Sequence, residues 1–319
     1  MEATEPKLSV TQNHWQLVAS LPTQEGSQDF MDSIRKVLRN PSYFPSMLQR
    51  KVVGLWRKSC YEELFKYLDE SLIGDVKLRV PELDGVFQVS PRSHLFQRLL
   101  LHREYEPEIA RLVRRFIDPA RDMIDIGANI GFFTVFGARF LTIGKVLAIE
   151  PTSGALKRLV SNATLNGVSD RVIVFNGAVS SEPGELTLNV LPDREEYSSL
   201  SQIVHPAVSG EATIPEKVSI STVDLLVAQY GLNPALMKVD VEGYEERVFR
   251  GARNTLTKFR PVVISELNNA MLMKLGTNAL EVVSQFNQLG YTVTNPNAPG
   301  AAPGVDEFGE ILCVPAELT

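Results

Sequence analysis

From residue 122 onward, short apolar runs alternate with amphipathic helical stretches. That alternation limits the fold more than any other feature. A chain that returns a strand after each helix covers both faces of a parallel sheet. "MIDIG", "KVLAIE", "RVIVFNGAV", "ALMKVDV" and "PVVISEL" read as strands. "GFFTVFGARFL", "GALKRLVSNATLNG", "VDLLVAQYG", "EERVFRGARNTLTKF" and "NALEVVSQFNQLG" read as the helices between and after them. "YTVTN" and "GEILCVP" add two strands at the end, and "ELTLNVL" reads as a hairpin arm within a long excursion. The expected fold is a doubly wound α/β domain with a mostly parallel sheet.

The start of the chain has another texture. Residues 1–26 are polar and aperiodic and are expected to be loose, whereas 27–72 carry helical spacing. This sets an N-terminal helical extension over 1–73 and the α/β domain over 74–319. "VKLRV" and "GVFQVS" alternate as strands, and "EPEIARLVRRFI" reads as a helix with Pro107 at its start. Between Ile34 and Tyr61 lie seven Lys or Arg, no Asp or Glu, and Trp56. Such a segment is a solvated helical face, or a docking surface for an acidic carrier protein or a membrane surface. The net charge of −6 argues against a nucleic-acid partner. Cys60 and Cys313 share no motif and are expected to be reduced. Neither a spanning apolar run nor a basic leader is legible, which points to the cytoplasm.

Most of the chemistry concentrates in "DMIDIGANIGFFT". Gly127 and Gly131 allow a sharp turn and a close approach of ligand to backbone. The dinucleotide fingerprint asks for a middle and a third glycine; here Asn129 takes the middle position and a phenylalanine stands where the third would be. A phosphate-binding G-K-[ST] is missing. Asp125 would repel a pyrophosphate but suits an ammonium. Glu150, closing the next strand, can accept ribose hydroxyls, and Asn176 and Ala178 lie where an adenine ring would sit.

These segments, with "NGAVS", "YSSL", "TVDLL", "MKVDVEGYEERVFRGA" and "PVVISE" in that order, resemble the FkbM family of S-adenosylmethionine-dependent methyltransferases. "YEPE", containing Tyr105 and Glu106, is similar to the segment preceding that family's first core strand. The resemblance covers about residues 100–315. It implies the Rossmann-like class I methyltransferase fold, a seven-stranded sheet with the last strand antiparallel. It also implies methyl transfer to a hydroxyl of a sugar, polyketide or other secondary metabolite, with S-adenosylmethionine as cofactor. Gly127, Asn129, Gly131, Glu150 and Asp240 match its motif positions, and Ser199 lies in its loop motif. N-methylation of an amine or amide, and an NAD-dependent oxidoreductase on a related sheet, stand as alternatives.

Moving a methyl group to an alcohol requires alignment and removal of a proton. Asp240, Glu242 and Glu266 are candidates at two strand ends. His205, in the long excursion, is a candidate base. Asp240, Glu266 and Asn268 also offer oxygens to Mg²⁺, although no metal is the leading expectation. The acceptor itself is not legible, and neither is the oligomeric state.

Overall fold

The computed structural model describes residues 17–18, 74–102, 105–191, 213–241, 243–296 and 309–319. The helical extension expected over 27–72 lies outside the described residues. So do the excursion at 192–212, with Ser199 and His205, and Glu242.

A hairpin comes first. Strands β2 (Val76–Val80) and β3 (Gly85–Val89) pair antiparallel, and β1 (Leu17–Val18) adds to the outer edge of β2. That short strand falls in a stretch expected to be loose; an open sheet edge offers unpaired N–H and C=O groups to any nearby backbone. Helix α1 (His94–His102) follows, then α2 (Pro107–Phe116), with Pro107 in its first turn as expected. The core begins with β4 (Asp122–Ile126), α3 (Phe132–Phe140), β5 (Val146–Glu150), α4 (Ser153–Leu165) and β6 (Val172–Asn176). A small sheet interrupts it: β7 (Ala178–Val179), β8 (Gly184–Val190) and β9 (Ile214–Ser221) in the order β7-β9-β8. The core resumes with α5 (Val223–Tyr230), β10 (Pro234–Val239), α6 (Glu245–Arg250), α7 (Arg253–Lys258) and β11 (Val262–Glu266). It ends with α8 (Asn269–Lys274), α9 (Ala279–Gln288), β12 (Tyr291–Thr294) and β13 (Glu310–Pro315).

The main sheet has seven strands in the order β12-β13-β11-β10-β4-β5-β6. From β11 to β6 neighbouring strands run parallel, and β13 is antiparallel to both β11 and β12. The expected class, including the antiparallel last strand, is what forms. The strand order reverses at β4, flanked by β5 on one side and β10 on the other. Ligands of open α/β sheets bind at such a switch point, outside the carboxyl ends of the strands.

Side-chain alternation sorts the core into two layers. Met123, Val146, Leu236 and Ile264 pack on one face with α1, α2 and α3, whereas Ile124, Leu147, Met237 and Val263 pack on the other with α5, α6, α7 and α9. The stretch read as one helix, "EERVFRGARNTLTKF", is two. Gly251 breaks it, because its carbonyl accepts from Asp224 N and a Cβ there would lie 2.0 Å from the Ser180 carbonyl oxygen.

Candidate functional site

Alternation places four acids on one face. Asp125 follows Met123, Asp240 follows Leu236 and Lys238, Glu266 follows Ile264, and Glu150 follows Val146 and Ala148. With Asn176, directly paired with Glu150, they form a row across β11, β10, β4, β5 and β6 at their carboxyl ends. Neighbouring strands are about 4.8 Å apart, so the row is continuous enough to line one ligand.

The turn after β4 sits in the middle of that row. Gly127 has φ +75°, and a Cβ there would lie 1.9 Å from the Asp240 carbonyl oxygen. Only glycine lets the ends of β4 and β10 approach so closely. Gly131, at φ +86°, packs against Leu159, and Asn129 also adopts a left-handed conformation at φ 50°, which asparagine tolerates better than most residues. Four N–H groups of the turn are committed: Gly127 and Ala128 donate to the Ile149 carbonyl, Gly131 donates to the Ala128 carbonyl, and Asn129 donates to Glu150 Oε2 at 2.8 Å. Asn162 of α4 fastens the turn from outside by donating to the Ile130 carbonyl at 2.8 Å.

Glu150 is buried and already organises its surroundings. Its Oε1 accepts from both the N–H and the hydroxyl of Thr152, at 2.9 and 2.7 Å. This carboxylate therefore ties the first turn to the start of α4. Asn176 is exposed and Ala178 half-buried.

Asp125 is fully buried beneath α3, where Thr134 donates to its Oδ2 at 2.6 Å. Its Oδ1 has no protein partner among the described residues. Burial raises its pKa, opposed by Lys238 and the Thr134 bond. Directly across on β10, and 5% exposed, stands Lys238, which the sequence reading passed over. Its Nζ donates to Asp240 Oδ2 at 3.1 Å and lies 5.3 Å from the centre of the Phe133 ring. Burial pushes the Lys238 ammonium pKa down, but Asp240, Asp125 and Glu106 together more than offset this and hold it above its ordinary value.

Tyr105 and Glu106 close the same corner. Tyr105 is buried against Phe132 and Phe133, with ring centres 4.5 and 5.9 Å apart. Glu106 sits at φ 45° before α2, and Arg98 of α1 approaches it at 3.6 Å. Burial raises the Glu106 carboxyl above its usual range, partly offset by Lys238. For Tyr105, burial and the neighbouring acids push the phenol well up. The structure thus joins Tyr105, Glu106, Asp125 and Asp240, four candidates named from sequence, around a lysine that was not. A lysine inside an otherwise apolar strand, "ALMKVDV", was the signal available.

Among the other candidates, Glu266 is exposed at the end of β11. Asn268 spends its side-chain oxygen on the N–H of Met271, capping α8. Among the described residues no group of three His, Cys, Asp or Glu is arranged to hold a metal, and none of their helices is long and apolar enough to cross a membrane.

Comparison with known proteins places this geometry in a family. Residues 125–293, just over half of the chain, match the methyltransferase FkbM domain. A methyltransferase of Sordaria araneosa is 29% identical over 153 residues, covering 40% of this chain and 59% of that protein. A hexuronic acid methyltransferase of Haloferax volcanii is 27% identical over 159 residues, covering 50% of this chain and 61% of that protein. The chain thus spans about three-fifths of the length of these curated relatives. The crystal structure of an FkbM methyltransferase from Methylobacillus flagellatus aligns over 61% of this chain and 43% of that one, at 16% identity and a TM-score of 0.39. The match, which spans the turn, the four strand-end acids and the last helix, shows that the chain belongs to the FkbM methyltransferase family.

Proposed function

We propose that this chain transfers a methyl group from S-adenosylmethionine to a hydroxyl of a sugar, polyketide or other secondary metabolite. One observation carries the choice of cofactor. A dinucleotide pyrophosphate is held by the N–H groups of a glycine turn and its helix. Here the N–H groups of Gly127, Ala128, Asn129 and Gly131 are all given to protein acceptors, and carboxylates surround the turn instead. The unmatched, buried Oδ1 of Asp125 calls for a donor, and an ammonium is one. Counted in their ionised forms, the three carboxylates of Asp125, Glu106 and Asp240 exceed the two cations Lys238 and Arg98 by one negative charge. S-adenosylmethionine carries one net positive charge, from an ammonium, a sulfonium and a carboxylate.

When bound, this cofactor supplies an electrophilic methyl group on a good leaving group. The chain does the rest. In this reading Glu150 accepts from the ribose hydroxyls, Asn176 and Ala178 flank the adenine, and Tyr105, Glu106 and Asp125 receive the amino-acid end. Gly127, Asn129 and Gly131 shape the turn beneath it. Asp240 and Glu266, on the same sheet face, orient the acceptor and take its proton. His205 and Glu242 stay candidates for handling the acceptor's proton and Ser199 for holding the cofactor; all three lie outside the described residues. The hexuronic acid methyltransferase among the relatives supports a sugar-class acceptor. The basic segment from Ile34 to Tyr61 is proposed to dock an acidic carrier bearing the acceptor.

Transfer of labelled methyl from S-adenosylmethionine to a panel of free and carrier-bound sugars and polyketides tests this reading. Asp125→Ala and Glu150→Ala should each weaken cofactor binding by about 1.5–3 kcal/mol, as expected for loss of a charge-assisted contact. Asp240→Asn should lower kcat more than it raises the cofactor KM. Turnover with amines alone would move the assignment to N-methylation.

A further inference from the structure

Lys238 stands where the sheet makes a charged side chain costliest. It lies inside β10 between Met237 and Val239, both fully buried, and is itself 5% exposed. An apolar residue would satisfy that strand as its neighbours do. Instead the ammonium reaches Asp240 at 3.1 Å, faces Asp125 across the parallel ladder, and rests 5.3 Å from the Phe133 ring centre. Glu106 approaches it from the segment before α2, itself paired with Arg98 from α1 and hydrogen-bonded to Tyr105. Three carboxylates from three elements converge on one buried cation. Packed together without it, they would repel one another, and Asp240 would lose the contact that fixes its rotamer.

We propose that Lys238 is the resident counter-ion of the donor site, fixing Asp240 beside it and holding the facing Asp125–Glu106 carboxylates in the arrangement that receives the ammonium of the methyl donor. The inference rests on the methyl-donor reading above and adds a positioning residue to it. Lys238 does not touch the reacting atoms. It acts through the carboxylates, and the resulting preference is for ligands that carry an ammonium.

That preference is measurable. S-adenosylhomocysteine and 5′-methylthioadenosine share a nucleoside and a thioether, but only the first has an ammonium. Calorimetric titration of the full chain with each ligand should be run on the parent, Lys238→Met, Lys238→Gln and Lys238→Arg. The two uncharged variants should bind S-adenosylhomocysteine at least about tenfold more weakly, while 5′-methylthioadenosine changes by less than about twofold; Lys238→Arg should restore most of the difference. Lys238→Gln keeps a donor for Asp240 and is the variant to read should Lys238→Met not fold. Equal loss of both ligands would mean a merely structural lysine and would overturn the proposal. So would a folded variant that binds S-adenosylhomocysteine as the parent does. If the parent binds neither ligand, the methyl-donor reading falls first and this inference with it, and that failure shows before any variant is made.

Discussion

At the scale of single residues, the turn is held by steric and hydrogen-bonding demands that have different remedies. Gly127→Ala adds a Cβ at φ +75° onto a carbonyl oxygen 1.9 Å away, and that oxygen belongs to backbone that cannot rotate aside. Its equilibrium stability in urea should fall by several kcal/mol, roughly the strain and overpacking range combined. Glu245 makes a different demand. It is 1% exposed, its Oε1 accepts from the Gly243 N–H at 3.0 Å, and its Oε2 has no protein partner among the described residues. Burial pushes its carboxyl up to about 7, partly opposed by backbone N–H groups. A carboxyl raised on folding stabilises fully below its unfolded value, and that stability is lost as pH rises toward the folded value. Unfolding free energy should therefore decline between about pH 4.5 and 7 in the parent. In Glu245→Gln that decline should shrink by an amount on the order of 3 kcal/mol, read from urea titrations across the range. Of the residues in the site, the glycines and strand-end acids were legible because turn chemistry and charge at a strand end are local signals. Lys238 was not, because its meaning depends on Asp125 in the next strand and Glu106 in a distant segment. Asp125 carries such a signal, but its bond to Thr134, which ties one carboxylate oxygen to α3, requires the helix to be in place.

Individual elements show which parts of the fold the sequence could state. The core strands and α3, α4, α5 and α9 follow from apolar runs and spacing. Helix α1 was missed because "HLFQRLLLH" follows a strand without a strong start signal; its capping comes from Ser93, whose hydroxyl accepts from the Phe96 N–H at 3.1 Å. Helix α8 is a short turn capped by Asn268, too brief to show a period. Long-range side chains then lock elements that sequence cannot pair. Asp75 meets Arg158 of α4 in a two-pronged ion pair at 2.9 and 3.1 Å, with the side chains 19% and 12% exposed, and so clamps the β2–β3 hairpin to the helix that follows Glu150. A double-mutant cycle with Asp75→Asn and Arg158→Gln should give a coupling of roughly 1–2 kcal/mol. A value near zero would mean that Asn162 and Asn166, which also bond the hairpin backbone, hold it unaided. On the other side, Glu216 of β9 accepts from Ser153 N and Oγ at 3.1 and 2.9 Å, pinning the small sheet to the first turn of α4. Glu216→Ala should loosen that sheet, seen as faster amide exchange in β8 and β9 with the core strands unchanged.

The whole molecule gathers its strand-end acids where the strand order reverses. Five neighbouring strands end on one side of the sheet with polar groups on one face, and the turn between β4 and α3 lies at their centre. The seven strands and the antiparallel β13 were expected from family resemblance rather than from periodicity, and the strand order was not expected at all, since spacing alone does not tell a strand its neighbour. The acceptor remained illegible for a physical reason: it depends on surfaces contributed by several segments at once, and no single stretch encodes their shape. Methyl-donor chemistry is the central claim, and one titration tests it most directly. Calorimetry of the full chain with S-adenosylhomocysteine, with NAD as control and each with and without Mg²⁺, should give binding of the thioether at about micromolar affinity and no heat from NAD. Binding of NAD in place of the thioether would mean that the turn carries a pyrophosphate after all, and the assignments of Asp125, Glu150 and Asp240 would have to be withdrawn.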